Sequence, residues 1–247
     1  PSLVGANPPM PAGSGRITLA NHIADAANPL TARVYASRIW HHLCGRGIVP
    51  STDNFGVLGE APSHPELLDW LAHRLVENVW STKKLIREIM LSRTCQMSSK
   101  PTDAATETKD AGNVLLHRMR VRRLPGESIR DSVLQTSGRL DRKMFGPSIP
   151  VNLTKFMSGR GRPRGGPLDG AGRRSVYLRI SRNFLSPFLL AFDFPLPTST
   201  MGRRGVTNVP AQALALLNDT FVLSQAKIWA KRIAKAGDAP KERIRTM

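Results

Sequence analysis

Asp53, His64, Glu66 and Asp69 are the densest grouping of carboxylates and imidazole in the chain. An imidazole titrates near neutral pH, and a carboxylate beside it can orient it, so such a pair can move a proton to or from a substrate. Two of the four have a structural explanation. Ser63-His64-Pro65-Glu66 reads as a capping box, with Ser63 accepting from the Glu66 N–H and the Glu66 side chain reaching back. Asp69 then falls in the first helical turn, where the macrodipole favours an acid. Asp53 and His64 remain as the candidate catalytic acid/base pair. His41 and His42, beside Trp40, are a second candidate, as an axial haem ligand or an acid/base. Neighbours on a helix point about 100° apart, so one buried and one exposed imidazole is the competing reading.

Basic side chains are the other chemical resource. The 247 residues hold 36 Lys and Arg against 18 Asp and Glu, a net charge of +18. Such a charge favours polyanions: nucleic acid, sulfated or uronic glycans, or an acidic partner surface. The tightest run is His117, Arg118, Arg120, Arg122 and Arg123. It can grip phosphate or sulfate, or it can be a solvated helix face or an ion-pair set with Glu127 and Asp131. Arg173, Arg174, Arg203 and Arg204 flank a candidate strand and the final helix, and Asp193 can pair with one of them. Asn208, Pro210 and Gln212 sit at a predicted helix start, whose free N–H groups suit an anion. The candidate anion-binding set is therefore Arg173, Arg174, Arg203, Arg204 and Asn208. The alternative is that these arginines anchor a neighbouring domain.

Several chemistries lack their sequence pattern. There is no CxxC or CxxCH, no zinc spacing, no Walker loop, no GxGxxG and no GxSxG elbow. RNA-recognition and zinc-finger signatures are missing too. No run of eighteen apolar residues exists, so no membrane span is expected. Cys44 and Cys95 are read either as a disulfide or as two inert buried thiols.

The elements that must position these residues are helical. Asn28 and Pro29 open a helix with Leu30, Val34, Ile39 and Leu43 as its stripe, closed by Gly45. The stretch 46–62 is a loop. Leu67, Leu68, Leu71, Leu75, Val76 and Val79 follow the capping box at helical spacing. A third helix, capped by Ser81 or Thr82, carries Leu85, Ile86, Ile89 and Met90, and pairs with the second through a turn at Trp80. Helix is next expected over Glu127–Ser137, stopped by Gly138. Val176, Leu178 and Ile180 alternate as a strand over 175–181. A last helix runs from Pro210 to about Lys235, interrupted at Asn218 and Asp219. The fold class is mainly α, a helical domain with a small β element and long Pro/Gly/Arg-rich loops. The expected organisation is an upstream linker tail over 1–12, one helical domain over 13–235 with soft breaks near 100–113 and 147–172, and a C-terminal tail over 236–247.

Seven ordered blocks carry a family resemblance: NPLTARVYASRIWHHLCGRGIV, DNFG, PSHPELLDWLA, RRLPGESIRDSVL, SGRLD, RRSVYLRISRNFL and NVPAQALALLND. Together they resemble the domain-of-unknown-function 1553 family, a C-terminal module of planctomycete cytochrome-c-type proteins. The resemblance implies export, hence an extracytoplasmic location, with a haem-attachment domain and a second uncharacterised domain upstream. It implies no cofactor in this segment, and haem c only upstream of Pro1. Ala36, Ser37 and Arg38 replace the family's VNR-type triplet, and Cys44 and Cys95 stand where it tends to place aromatics.

The function expected from this reading is a binding or scaffolding module, with a basic surface for an acidic glycan or for the upstream domain of the same parent protein. A hydrolase or lyase acting on anionic polysaccharide through Asp53, His64 and arginines competes with it. Nucleic-acid binding is the third reading and rests on charge alone.

Overall fold

A computed structural model describes residues 13–101, 103–235 and 240–246. The expected tail at 1–12 and residues 236–239 lie outside them. The chain forms two compact units that meet in sequence at Arg122 and Arg123, inside the basic run.

The first unit contains α1 (Arg16–Ala24), α2 (Pro29–Cys44), α3 (Pro65–Glu77), α4 (Thr82–Leu91), α5 (Arg93–Gln96) and α6 (Ala104–Lys109). The Asn28 side chain caps α2, accepting from the Leu30 N–H at 3.0 Å, and Gly45 ends it in the left-handed region at φ 84°. The buried face of α2 differs from the expected stripe. Ala32, Ala36, Ser37, Ile39, Trp40 and Cys44 face inward. Helix α2 packs on α3, which buries Leu68, Leu71, Ala72 and Leu75. Leu30 and Val34 instead line an open apolar groove with Ile23, Tyr35 and Trp80. Leu85 and Ile89 of α4 complete the core, with Ile48 and Val49 from the loop. Each fully buried aliphatic side chain contributes roughly 1.5–3 kcal/mol.

The α3–α4 hairpin forms as the spacing predicts. Its turn needs two consecutive left-handed residues, Val79 (φ 54°) and Trp80 (φ 56°), and Ser81 caps α4 by accepting from the Lys84 N–H. The capping box does not form. Pro65 takes the first helical position, which makes His64 the N-cap, and the Ser63 hydroxyl donates to Ile48 O at 3.2 Å. A proline is pre-organised for the first position, and this moves the helix start by one residue.

The second unit contains α7 (Gly126–Ser137), α8 (Pro187–Ala191), α9 (Pro210–Asn218), α10 (Thr220–Ala234) and α11 (Pro240–Thr246). Helix α7 packs on α10 and α8. Gly126 packs closely on α8 and the residue after it: an added Cβ would sit 3.0 Å from Phe192 Cβ and 3.4 Å from Leu189 Cδ2, so these neighbours would have to give. Phe188, Leu189 and Phe192 form the local core, with Phe188 also edge-on to Phe221 of α10. Ser137 donates to Gln225 Oε1 at 2.8 Å, a buried polar link between α7 and α10.

The expected β element is corrected by the structure. Ser175–Tyr177 is a 3₁₀ turn, and pairing among the described residues is limited to the isolated bridges Asp141–Arg173 and Ile149–Leu178. The reason is local. Ser175 is held to α7 by Asp131 and Arg130, while Val176 and Ile180 are 73% and 50% exposed, so the alternation builds no buried face. The long Pro/Gly/Arg-rich loops are present as expected.

Candidate functional site

Asp53 lies exposed in the turn over 51–54. His64 is half-buried at the start of α3, and its Nδ1 is 3.0 Å from the Ser63 hydroxyl. The Ser63 hydroxyl is also 3.2 Å from Ile48 O, so its one proton is shared between two acceptors and the imidazole tautomer sets the direction of the contact. His64 lines a cavity of about 10 Å³, beside Cys44, Arg46, Asn113 and Arg120, with space for about one water. Asp53 is not among its lining residues, and Arg174 belongs to the other unit. His41 is half-buried and His42 exposed, with their rings edge to face at 5.4 Å. Among the described residues no group of three or more His, Cys, Asp or Glu is placed to hold a metal ion.

The basic run is not helical, and it is spent on internal bonds. Arg118 makes a two-pronged contact with Glu107, at 3.0 and 2.8 Å. That contact raises the guanidinium pKa and lowers that of the Glu107 carboxyl. Arg120 donates to the carbonyls of Gly112 and Asn113, and Arg122 to that of His42. In the second unit, Arg123 donates to Thr207 O and to Asp193. Asp193 also accepts from the Thr207 N–H at 2.8 Å, and these bonds hold its carboxyl below the usual range. Arginine suits such loops because one planar fork satisfies several backbone carbonyls at once.

Arg130 of α7 is the centre of the second unit. It is 5% exposed and donates to Asp169 O (2.7 Å), Arg173 O (3.0 Å) and Ser175 Oγ (3.1 Å), with Asp131 at 3.4 Å. Burial lowers its pKa, and Asp131 and Asp169 oppose the shift. Arg173 is buried too. It stacks on Tyr177 at 4.2 Å and donates to Phe145 O. Arg174 is half-exposed, with Nε 3.9 Å from Asp131. Arg204 pairs with Glu127 at 2.7 Å. Arg203 is exposed and has no partner among the described residues. Asn208 is exposed, and the N-cap of α9 is Val209, which offers no side-chain oxygen. The structure thus gives Arg173 and Arg204 close structural partners and Arg174 a looser one in Asp131, and leaves Arg203 facing water.

A different set of arginines lies on the two segments bonded to residues 149–152. Residues 149–152 are tied on one side to 177–179, through Ile149 N to Tyr177 O and Arg179 N to Ile149 O, both 2.8 Å. On the other side they are tied to Gly166, whose N–H donates to Val151 O, while Asn152 Nδ2 donates to Gly166 O. Gly166 is needed there, since a Cβ would lie 1.9 Å from Pro150 O. The end of the loop carrying Arg160, Arg162 and Arg164 and the segment carrying Arg179 and Arg182 are therefore both anchored to residues 149–152. All five are exposed, with no side-chain partner among the described residues.

The same segments wall a cavity of about 110 Å³. Val151, Leu168, Leu178 and Phe188 give it apolar walls, and Asn152, Thr154, Asp219 and Thr220 give it hydrogen-bonding groups. Arg130 lines it from α7. Residues 123–247 hold 22 of the 36 Lys and Arg but only 8 of the 18 acids, which places most of the charge excess in this unit. The sequence signal for the site was the GRGRPRGG tract, whose anchoring by Val151 and Asn152 is not visible from composition.

The family model described as "Protein of unknown function (DUF1553)" matches residues 15–247, so the chain belongs to that family. No curated protein and no solved structure matches the chain. No helix among the described residues is long and apolar enough to cross a membrane.

Proposed function

We propose that the second unit is a binding module for an acidic polysaccharide. The observation that supports this most is the division of labour among its arginines. Arg123, Arg130, Arg139, Arg173 and Arg204 have internal partners. Arg160, Arg162, Arg164, Arg179 and Arg182 do not, and they lie in the chain segments between and just after residues 151–154, 167–168 and 178, which wall a cavity with both apolar and hydroxyl-bonding groups. A sugar ring has that dual character, while its sulfate or carboxylate groups suit guanidinium forks. Asp219 on the cavity wall disfavours a bare anion inside it, so the anionic substituents belong on the outer arginines. An extracytoplasmic setting, and a parent protein carrying haem c upstream, belong to this proposal through the family resemblance.

The test is a titration of the full chain with a sulfated oligosaccharide, comparing wild type with R160Q/R162Q/R164Q. Exposed charges are screened within about 10 Å at 0.1 M ionic strength, so binding should weaken as salt rises. The triple Gln variant should lose most of the affinity. Equal binding by that variant refutes the site, and stronger binding to a neutral or nucleic-acid competitor refutes the ligand class.

A further inference from the structure

Cys44 and Cys95 are the only cysteines of the chain and lie far apart in sequence. The fold brings them together. Cys44 ends α2 and is buried, while Cys95 sits on α5, half-buried, packed against the same core cluster. Both residues thus belong to one packed cluster, and Cys95 is among the groups that raise the Cys44 thiol. We propose that this pair is a disulfide site, closed by exchange with a disulfide-bearing donor, which locks the end of α2 to α5.

The exchange balances in two steps. The more accessible Cys95 thiolate attacks one sulfur of the donor, and the donor's other sulfur leaves as a thiolate. The Cys44 thiolate then attacks the Cys95 sulfur and expels the second donor thiolate. The protons given up by the two protein thiols are taken up by the two departing thiolates, and the donor disulfide is reduced as the protein thiols are oxidised. The second step is the slow one. Burial is the largest cause that raises the Cys44 thiol, and it persists once Cys95 has become a mixed disulfide, with the Arg122 guanidinium opposing. Arg46, Arg120 and His64 line the small cavity beside Cys44 and are the other charged or titratable groups near it. Closure from the mixed disulfide should therefore speed up about tenfold per pH unit across the neutral range, following the thiolate fraction.

The closed loop spans residues 46–62, α3 and α4, so the bond should stabilise the first unit by restricting its unfolded chain. The experiment uses the full chain, oxidised glutathione as the donor, intact-mass analysis and peptide mapping. The expected product has lost two hydrogens, yields one cross-linked peptide joining Cys44 to Cys95, and melts later until a reductant is added. Cys95→Ala should show none of these changes. Cys44→Ala should stop at a glutathione adduct on Cys95. The proposal fails if both wild-type thiols stay free although denatured protein reacts, if the wild-type adduct at Cys95 never resolves, or if cross-links form only between chains.

Discussion

Arg130→Met tests whether one buried guanidinium organises the second unit. The side chain is 5% exposed, and its donors reach two backbone carbonyls, the Ser175 hydroxyl and Asp131. Hydrogen bonds to a charged group contribute about 1.5–3 kcal/mol each, but the variant also escapes the cost of burying a cation. Removing one member of a buried charged network typically costs about 3–5 kcal/mol, and we take that as the expected loss. For a unit of this size the melting point should fall by roughly 10–20 °C. Arg130→Lys keeps the charge, but a single ammonium cannot span Asp169 O, Arg173 O and Ser175 Oγ, so it should also destabilise, less severely. Hydrogen exchange read by mass spectrometry separates the two units. Protection should drop in α7 and around 169–175 while α2 and α3 are unaffected. Unchanged protection around 169–175, or a stability loss under about 1 kcal/mol, would show that Arg130 is not the organising group.

Further predictions follow from single contacts. Ser63→Ala should cost well under the 0.5–2 kcal/mol typical of a lost N-cap oxygen, because Ser63 caps nothing; a denaturation midpoint shifted by that full amount contradicts the assignment. Gly172→Ala should destabilise the second unit strongly, since φ is 72° and the new Cβ would meet Arg139 O at 2.3 Å; a wild-type melting curve contradicts it. Asp193 and Glu107 have folded-state pKa values lowered by their partners, so their stabilisation is present above about pH 4 and is lost as pH falls through the lowered values. Asp193→Asn should accordingly flatten the acid limb of the second unit's stability curve; an unchanged limb contradicts the pairing.

Local rules made the caps legible. Asn28, Gly45, Ser81 and Gly138 act where propensity and turn chemistry place them. The α3–α4 hairpin was readable because its apolar stripes are strong. The α2 stripe was legible in its second half, where Ile39 and Leu43 reach the core; in the first half small Ala32 and Ala36 are buried instead of Leu30 and Val34, and hydrophobicity alone undervalues them. The strand over 175–181 failed because Ser175 is claimed by side chains of α7, more than forty residues earlier in sequence. Long-range bonding also decided the arginines. Nothing local distinguishes buried Arg173 from its neighbour Arg174 or from exposed Arg179, and only the fold assigns their partners. That Cys44 and Cys95 pack into one cluster was hidden for the same reason.

The central claim is that the partnerless arginines around residues 149–152 bind an acidic glycan. It is tested most directly by a hydrogen-exchange footprint of the full chain with and without a sulfated oligosaccharide at low salt. The account predicts new protection confined to 149–168 and 177–182, lost in R160Q/R162Q/R164Q. Protection centred instead on 117–123 or on the first unit, or none at saturating ligand, would contradict it.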